Sequence, residues 1–263
     1  MDYQKYKEVA LSALGNRKLL YLGLSGSHAW GLNRPDSDLD LIGIYQEHTN
    51  KVLSIRKSKD VVNKKIDVYD LQLFEIEKFL KLLCNNNGNM VTWLKLPNQI
   101  YVDDVVDWDS LADNFITKEL KKYYKGYAFS QRQRTASERG GKALIYTYRE
   151  LFCGLYLMKY GQLEFSFQEL WETARKNGWY EHGLLDRYFD KVMANEKVSI
   201  ISDSGWVEFY NEWNVLTKLL DEESEKSSLP DKPVKNIEEV CSNILIALRI
   251  ENLLNSFDSC GMD

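Results

Sequence analysis

The apolar positions change their spacing once along the chain. Up to about residue 105, short apolar runs alternate with turns. Tyr6, Val9, Ala10, Ala13 and Leu14 recur at helical spacing between Tyr3 and Leu14, and Gly15-Asn16 ends that helix. Leu19 to Leu24 is a continuous apolar run stopped by Ser25-Gly26-Ser27, the pattern of a buried strand. A turn signal follows at Asn33-Arg34-Pro35-Asp36-Ser37. Asp38 to Tyr45 predicts a second strand, with Leu39 and Leu41 alternating against Asp38 and Asp40, and Lys65 to Leu73 predicts a third. The stripe Ile76, Phe79, Leu80, Leu83 predicts an amphipathic helix from Glu75 to Leu83, broken at Asn85 to Asn89.

Beyond residue 105 the period is helical almost throughout. Lys118 to Arg139, Lys142 to Tyr160, Phe167 to Lys176, Leu184 to Ala194, Val207 to Glu223 and Ile237 to Leu254 all carry apolar positions near period 3.6. Leu229-Pro230-Asp231-Lys232-Pro233 separates the last two. The expected architecture is α+β: a small mixed sheet with helices in 1–105, then a helical bundle in 106–263.

Composition narrows the class. Hydrophobic residues are 44% and charged residues 28%, which excludes a disordered or low-complexity chain. The longest apolar runs fall far short of the ~20 residues that span a bilayer, and charged residues follow Met1 at once, so no membrane or secretory role is expected. Cys84, Cys153, Cys241 and Cys260 form no CxxC pair, and His28, His48 and His182 are far apart in sequence. Both facts argue against zinc and favour free thiols in a reducing cytoplasm. The net charge of −5 provides no global attraction for nucleic acid. A polyanionic substrate would need positive charge supplied locally, by side chains or bound metal.

The chemistry concentrates between Ser25 and Tyr45. A Gly26-Ser27 pair follows a buried strand, where backbone N–H groups can meet phosphate oxygens. After ten intervening residues comes Asp38-Leu39-Asp40. In a strand, positions i and i+2 leave the same face, so both carboxylates emerge together. Such a pair repels unless a cation separates it. With hard oxygen ligands and no His or Cys, that cation is Mg²⁺ or Mn²⁺. Taken alone, Asp-Leu-Asp is equally the solvent face of an edge strand.

The whole arrangement, apolar-Gly-Ser, ten residues, Asp-apolar-Asp-apolar, resembles the motif of the polymerase-β-like nucleotidyltransferase superfamily. Gly26-Ser27-His28-Ala29-Trp30-Gly31, Pro35-Asp36-Ser37-Asp38-Leu39-Asp40 and Gly43-Ile44-Tyr45 look like its RNA-repair-associated (RNA-ligase-associated) branch. Phe74-Glu75-Ile76, Lys78-Phe79-Leu80, Asn87 and Trp93-Leu94 resemble that branch's strand-to-helix segment. Lys142, Tyr146 and Arg149 resemble its Lys-x3-His-x2-Arg helix, and Arg175 with Gly178 its Arg-x2-Gly element. The resemblance runs from about residue 20 to 180. Tyr146 stands where the branch usually has His, Ile42 where many members have Arg, and Gly88 where Pro is usual.

This resemblance implies a metal-dependent enzyme that moves a nucleoside monophosphate from an NTP to a hydroxyl, releasing pyrophosphate, with an RNA end as acceptor. Partner-protein or small-molecule nucleotidylation, and a non-catalytic nucleotide- or RNA-sensing module, are the alternatives. It implies catalytic and metal roles for Asp38, Asp40 and a third acid. Asp67 and Asp70 compete for that place; periodicity does not decide, while the branch's four-residue offset to the helix-opening aromatic, here Phe74, selects Asp70. Gly26, Ser27, Ser37, Lys142 and Arg149 are the implied nucleotide ligands.

Lys142 and Arg149 lie two helical turns apart, so they share a face and are expected as surface charges, either for phosphates or for acidic neighbours. Lys118, Lys121, Lys122, Lys125, Arg132, Arg134 and Arg139, interleaved with Tyr123, Tyr124, Tyr127 and Phe129, could track a nucleic-acid strand or form a solvated face. His28 is read as a hydrogen-bonded structural residue. The tryptophans from Trp93 onward are read as packing, and the acids from Asp103 to Asp109 as a surface loop.

Overall fold

The computed structural model describes every residue except 57, 139, 195–200 and 259–263, and the side chains of 256–258. Arg139 and Cys260 therefore lie outside the described residues. In chain order the elements are α1 (Tyr3–Leu14), β1 (Lys18–Leu24), α2 (Gly26–Ala29), β2 (Leu39–Gln46), α3 (Thr49–Val52), β3 (Val61–Ile66), β4 (Tyr69–Glu75), α4 (Ile76–Cys84), α5 (Gly88–Leu94) and β5 (Gln99–Val102). Then come α6 (Trp108–Asp113), α7 (Leu120–Glu138), α8 (Gly141–Tyr160), α9 (Phe167–Lys176), α10 (Leu184–Met193), α11 (Asp203–Lys226) and α12 (Ile237–Asp258). Two compact units result. The first holds 1–26, 38–115 and 233–263, the second 27–37 and 116–232. The packing thus divides at other points than the change of period near residue 105. No helix among the described residues is long and apolar enough to cross a membrane.

In the first unit the described strands form a five-stranded sheet, ordered β3-β4-β2-β1-β5. Only β2 and β4 run parallel; the other neighbours are antiparallel. One face is sealed by α1, whose Tyr6, Ala10 and Leu14 pack with Leu22, Leu24, Leu41, Tyr69, Leu71 and Leu73. Asp2 caps that helix by accepting from the Lys5 N–H, and Gly15 ends it at a φ of 67°. The third strand expected over Lys65 to Leu73 is instead a hairpin: β3 turns into β4 through Asp67 and Val68, with Asp67 at a φ of 51°. The left-handed position suits Asp, whose short polar side chain tolerates it. That turn signal was read as strand.

The far end of the sheet is closed by α12, which packs on α3 and α4. Buried Gln46 donates to the Leu248 carbonyl at 2.6 Å, and the Thr49 hydroxyl to the Arg249 carbonyl at 3.0 Å. Arg249 reaches the buried Glu75 carboxylate at 2.7 Å and the Glu47 carbonyl at 3.1 Å. Glu75 also caps α4 by accepting from the Glu77 N–H at 2.8 Å.

The second unit is built around α8, which is buried along most of its length between α7 and α11. Tyr148, Phe152, Tyr180 and Phe209 meet edge-to-face at its centre. The segment 27–37 joins this unit through Trp30, which stacks on Phe165 at 5.0 Å and accepts at its carbonyl from the Phe167 N–H. The helices expected from the sequence are all present, with ends shifted by a few residues.

Arg249→Ala should destabilise the sheet unit by about 3–5 kcal/mol, because it strands a buried carboxylate, and Arg249→Lys should recover part of that. Denaturant unfolding followed through the sheet checks it. A wild-type midpoint for Arg249→Ala would mean that α12 is not held by this ion pair.

Candidate active site

The site begins where β1 meets β2. The Ser25 N–H donates to the Asp40 carbonyl at 2.8 Å, which draws the strand end against Asp40. Gly26 follows at a φ of 60°, and a Cβ there would overlap the Asp40 carboxylate. Both constraints require glycine: only it adopts this backbone without cost, and only it leaves room for the acid. Ser27, in the short helix α2, is buried and its carbonyl accepts from the Leu32 N–H.

Strand register places the other acids. In the parallel pair, Asp40 lies directly opposite Asp70, with Leu41 opposite Leu71. Neighbours in register share a sheet face and sit about 4.8 Å apart. Leu39, Leu41, Tyr69 and Leu71 pack with the core under α1, so Asp40 and Asp70 occupy the opposite face. Asp67 sits in the hairpin turn. Asp38 falls just before β2 rather than within it, and the following residue is fixed by a Leu39 N–H to Val68 carbonyl bond of 2.8 Å.

A residue unmarked in the sequence completes this end of the sheet. Lys65 on β3 is the register partner of Asp70, and its Nζ donates to Asp38 Oδ2 at 2.7 Å. The bond to Asp38, with the fields of Asp70 and Asp40 behind it, raises the lysine's pKa above its ordinary value. Its position was hidden because Lys65 and Asp70 were placed in one strand; a turn at Asp67 folds them opposite each other. Among the described residues no three acid, His or Cys side chains are gathered around one point. Asp40 and Asp70 carry hard oxygen donors of the kind a divalent cation takes, while Asp38 is engaged by Lys65.

In the second unit the structure brings Ser37 and Lys142 together and leaves Arg149 apart. The Ser37 hydroxyl accepts from the Arg34 N–H at 2.9 Å and its N–H donates to the Arg34 carbonyl, closing the turn over Pro35 and Asp36. Ser37, Arg34 and Leu32 line a small pocket with Lys142, Ile145 and Tyr146. Lys142 is exposed, as expected. Arg149 is not: it is 6% exposed, paired with the buried Glu150, and lies 4.3 Å from the Trp30 ring and 4.8 Å from that of Tyr146. The helix rotates Arg149 inward because α8 is covered on nearly every side, which two residues at shared spacing do not reveal. His28, expected to be hydrogen-bonded, has a buried Nε2 with no partner.

Several residues of the basic-aromatic stretch have partners within the helical unit. Lys121 and Lys125 pair with Asp221, and Lys118 with Asp231. Tyr124 is buried, and Arg132 lies 4.0 Å over Trp213. The acids expected as a surface loop also have local tasks. Asp107 caps α6 by accepting from the Ser110 N–H; hydrogen bonds from the Ser110 side chain and then its N–H lower the Asp107 pKa, and Asp109 pairs with Lys95.

A sequence model of the RNA repair pathway DNA polymerase beta family, RlaP, matches residues 3–240. The chain belongs to this family of polymerase-β-like nucleotidyltransferases. The match extends well beyond the motif-bearing stretch from 20 to 180. An uncharacterised protein of Methanocaldococcus jannaschii is 25% identical over 225 residues, covering 81% of this chain and 88% of the relative. The protein YcgL of Bacillus subtilis is 36% identical over 78 residues, 29% of this chain and 30% of its own. Among solved structures, the spectinomycin adenyltransferase AAD(9) of Enterococcus faecialis aligns with a TM-score of 0.45 and 14% identity, over 83% of this chain and 97% of its own.

Arg149→Ala should lower stability by about 3–5 kcal/mol, since Glu150 would keep a buried charge without its partner. Lys142→Ala should change it by no more than about 0.5 kcal/mol. Parallel thermal melts of the two variants test the assignment of one residue to packing and the other to the surface; equal shifts would contradict it.

Proposed function

We propose that this chain transfers a nucleoside monophosphate from an NTP to a hydroxyl at an RNA end, releasing pyrophosphate. The observation that carries the reading is the register of β2 and β4, which pairs Asp40 with Asp70 on the sheet face opposite α1. Asp40 and Asp70, joined by Asp38, would hold Mg²⁺ or Mn²⁺. The chemistry expected of the bound cation is neutralisation of phosphate charge and acidification of the attacking hydroxyl.

The remaining roles follow from the chain itself. Gly26 lets the backbone approach the triphosphate closely, and Ser27 and Ser37 supply donors to its oxygens. Exposed Lys142 offers an ammonium to the phosphates. Buried Arg149 acts at one remove, holding Trp30 and Tyr146. Asp70, the more exposed of the register pair, is the acceptor for the proton of the attacking hydroxyl. The hydroxyl oxygen bonds the α-phosphorus as the bond from that phosphorus to the bridging oxygen breaks. Membership of an RNA-repair family supports RNA as the acceptor.

Incubation with each α-labelled NTP, Mg²⁺ or Mn²⁺, and either total RNA or cell lysate tests the reading. Label is expected in RNA. Asp40→Asn and Asp70→Asn should each lower transfer by at least about a hundredfold while melting like wild type, since neither opens a core cavity. Asp67→Asn should keep most of the activity. Label in protein would move the acceptor to a Tyr, Ser or Thr hydroxyl, and label nowhere would indicate a binding module.

A further inference from the structure

Lys65 places a positive charge inside the group of acids that the proposed reaction requires. Its ammonium bonds Asp38 at 2.7 Å, and it lies opposite Asp70 in the β3–β4 register, on the face that also carries Asp40. Three carboxylates and one ammonium leave a net charge of −2 at this end of the sheet. Ordinary surface pairs contribute little and have no fixed place. Here the lysine's place among the acids is set by the sheet, because β3 registers Lys65 on Asp70 while β4 registers Asp70 on Asp40.

We infer that Lys65 is an internal counterion that competes with the divalent cation for Asp38 and moves to the nucleotide phosphates when the cation is held. This rests on the metal-dependent reading above. A divalent ion on Asp38 draws on the same negative charge that holds the ammonium there, and repels that ammonium at close range. Engagement of Asp38 by the metal therefore releases Lys65, and the triphosphate is the anion that can receive it. Cation and nucleotide then bind cooperatively, because each removes a cost from the other. Side chains of Lys65 and Asp38 are 60% and 48% exposed, so the exchange needs no backbone movement.

Mn²⁺ binding measured by electron paramagnetic resonance, without catalysis, tests the inference. Lys65→Met should bind Mn²⁺ alone about five- to tenfold more tightly than wild type, the size of one unit charge at contact in high dielectric. A non-hydrolysable ATP analogue should then strengthen Mn²⁺ binding less in Lys65→Met than in wild type, and Lys65→Arg should restore the wild-type coupling. Equal or weaker Mn²⁺ binding by Lys65→Met, in a variant that melts normally, would overturn the proposal. Wild-type Mn²⁺ binding that survives Asp40→Asn unchanged would instead defeat the metal site beneath it, and the proposal with it.

Discussion

The parallel, in-register pairing of β2 with β4 is the constraint on which the candidate site depends. Side chains alternate across a sheet with period two, so a slip of one residue would turn Asp70 into the core beneath α1. Register from Leu39 opposite Tyr69 to Tyr45 opposite Glu75 prevents this, because every core-facing residue would have to surface with it. Gly26 and β3 act on this frame from either side. One leaves space against Asp40, and the other brings a lysine across from Asp70.

The same two strands carry charge at both ends, under opposite conditions. At the Asp40 end the acids meet water and Lys65, and the ion pair there can be exchanged. At the other end Glu75 is buried with Arg249, where an unpaired charge is costly and the pair is fixed. Solvent access therefore separates an exposed ion pair from a buried one within a single sheet. Arg149 and Glu150 repeat the structural case in the helical unit.

Much of this was legible in the sequence because it rests on local pattern. The Gly26-Ser27 turn, the Asp38-Leu39-Asp40 spacing and the helical stripes depend on residues close in the chain. Choosing Asp70 over Asp67 needs the offset to Phe74, which is a family trait; the structure adds that Asp67 lies in the hairpin turn and Asp70 in β4. What was not legible depends on partners distant in sequence. Arg149 carries no mark of burial until α7 and α11 cover α8. Nothing marks Lys65 as a neighbour of the acids until β3 folds back on β4, and the lysines between 118 and 125 read as a solvated face or a nucleic-acid stripe until Asp221 and Asp231 pair with them.

The return of α12 to the sheet has a consequence for how the protein is made. Arg249 follows Glu75 by 174 positions, and residues 116–232 of the helical unit are synthesised between them. A chain leaving the ribosome can build α8 and its neighbours as soon as residues to about 232 have emerged, from contacts largely local to that stretch. The sheet emerges earlier yet completes later, with the buried end of β2 and β4 awaiting its counterion. Until then Glu75 and Gln46 lack the partners that their buried places in the folded sheet require.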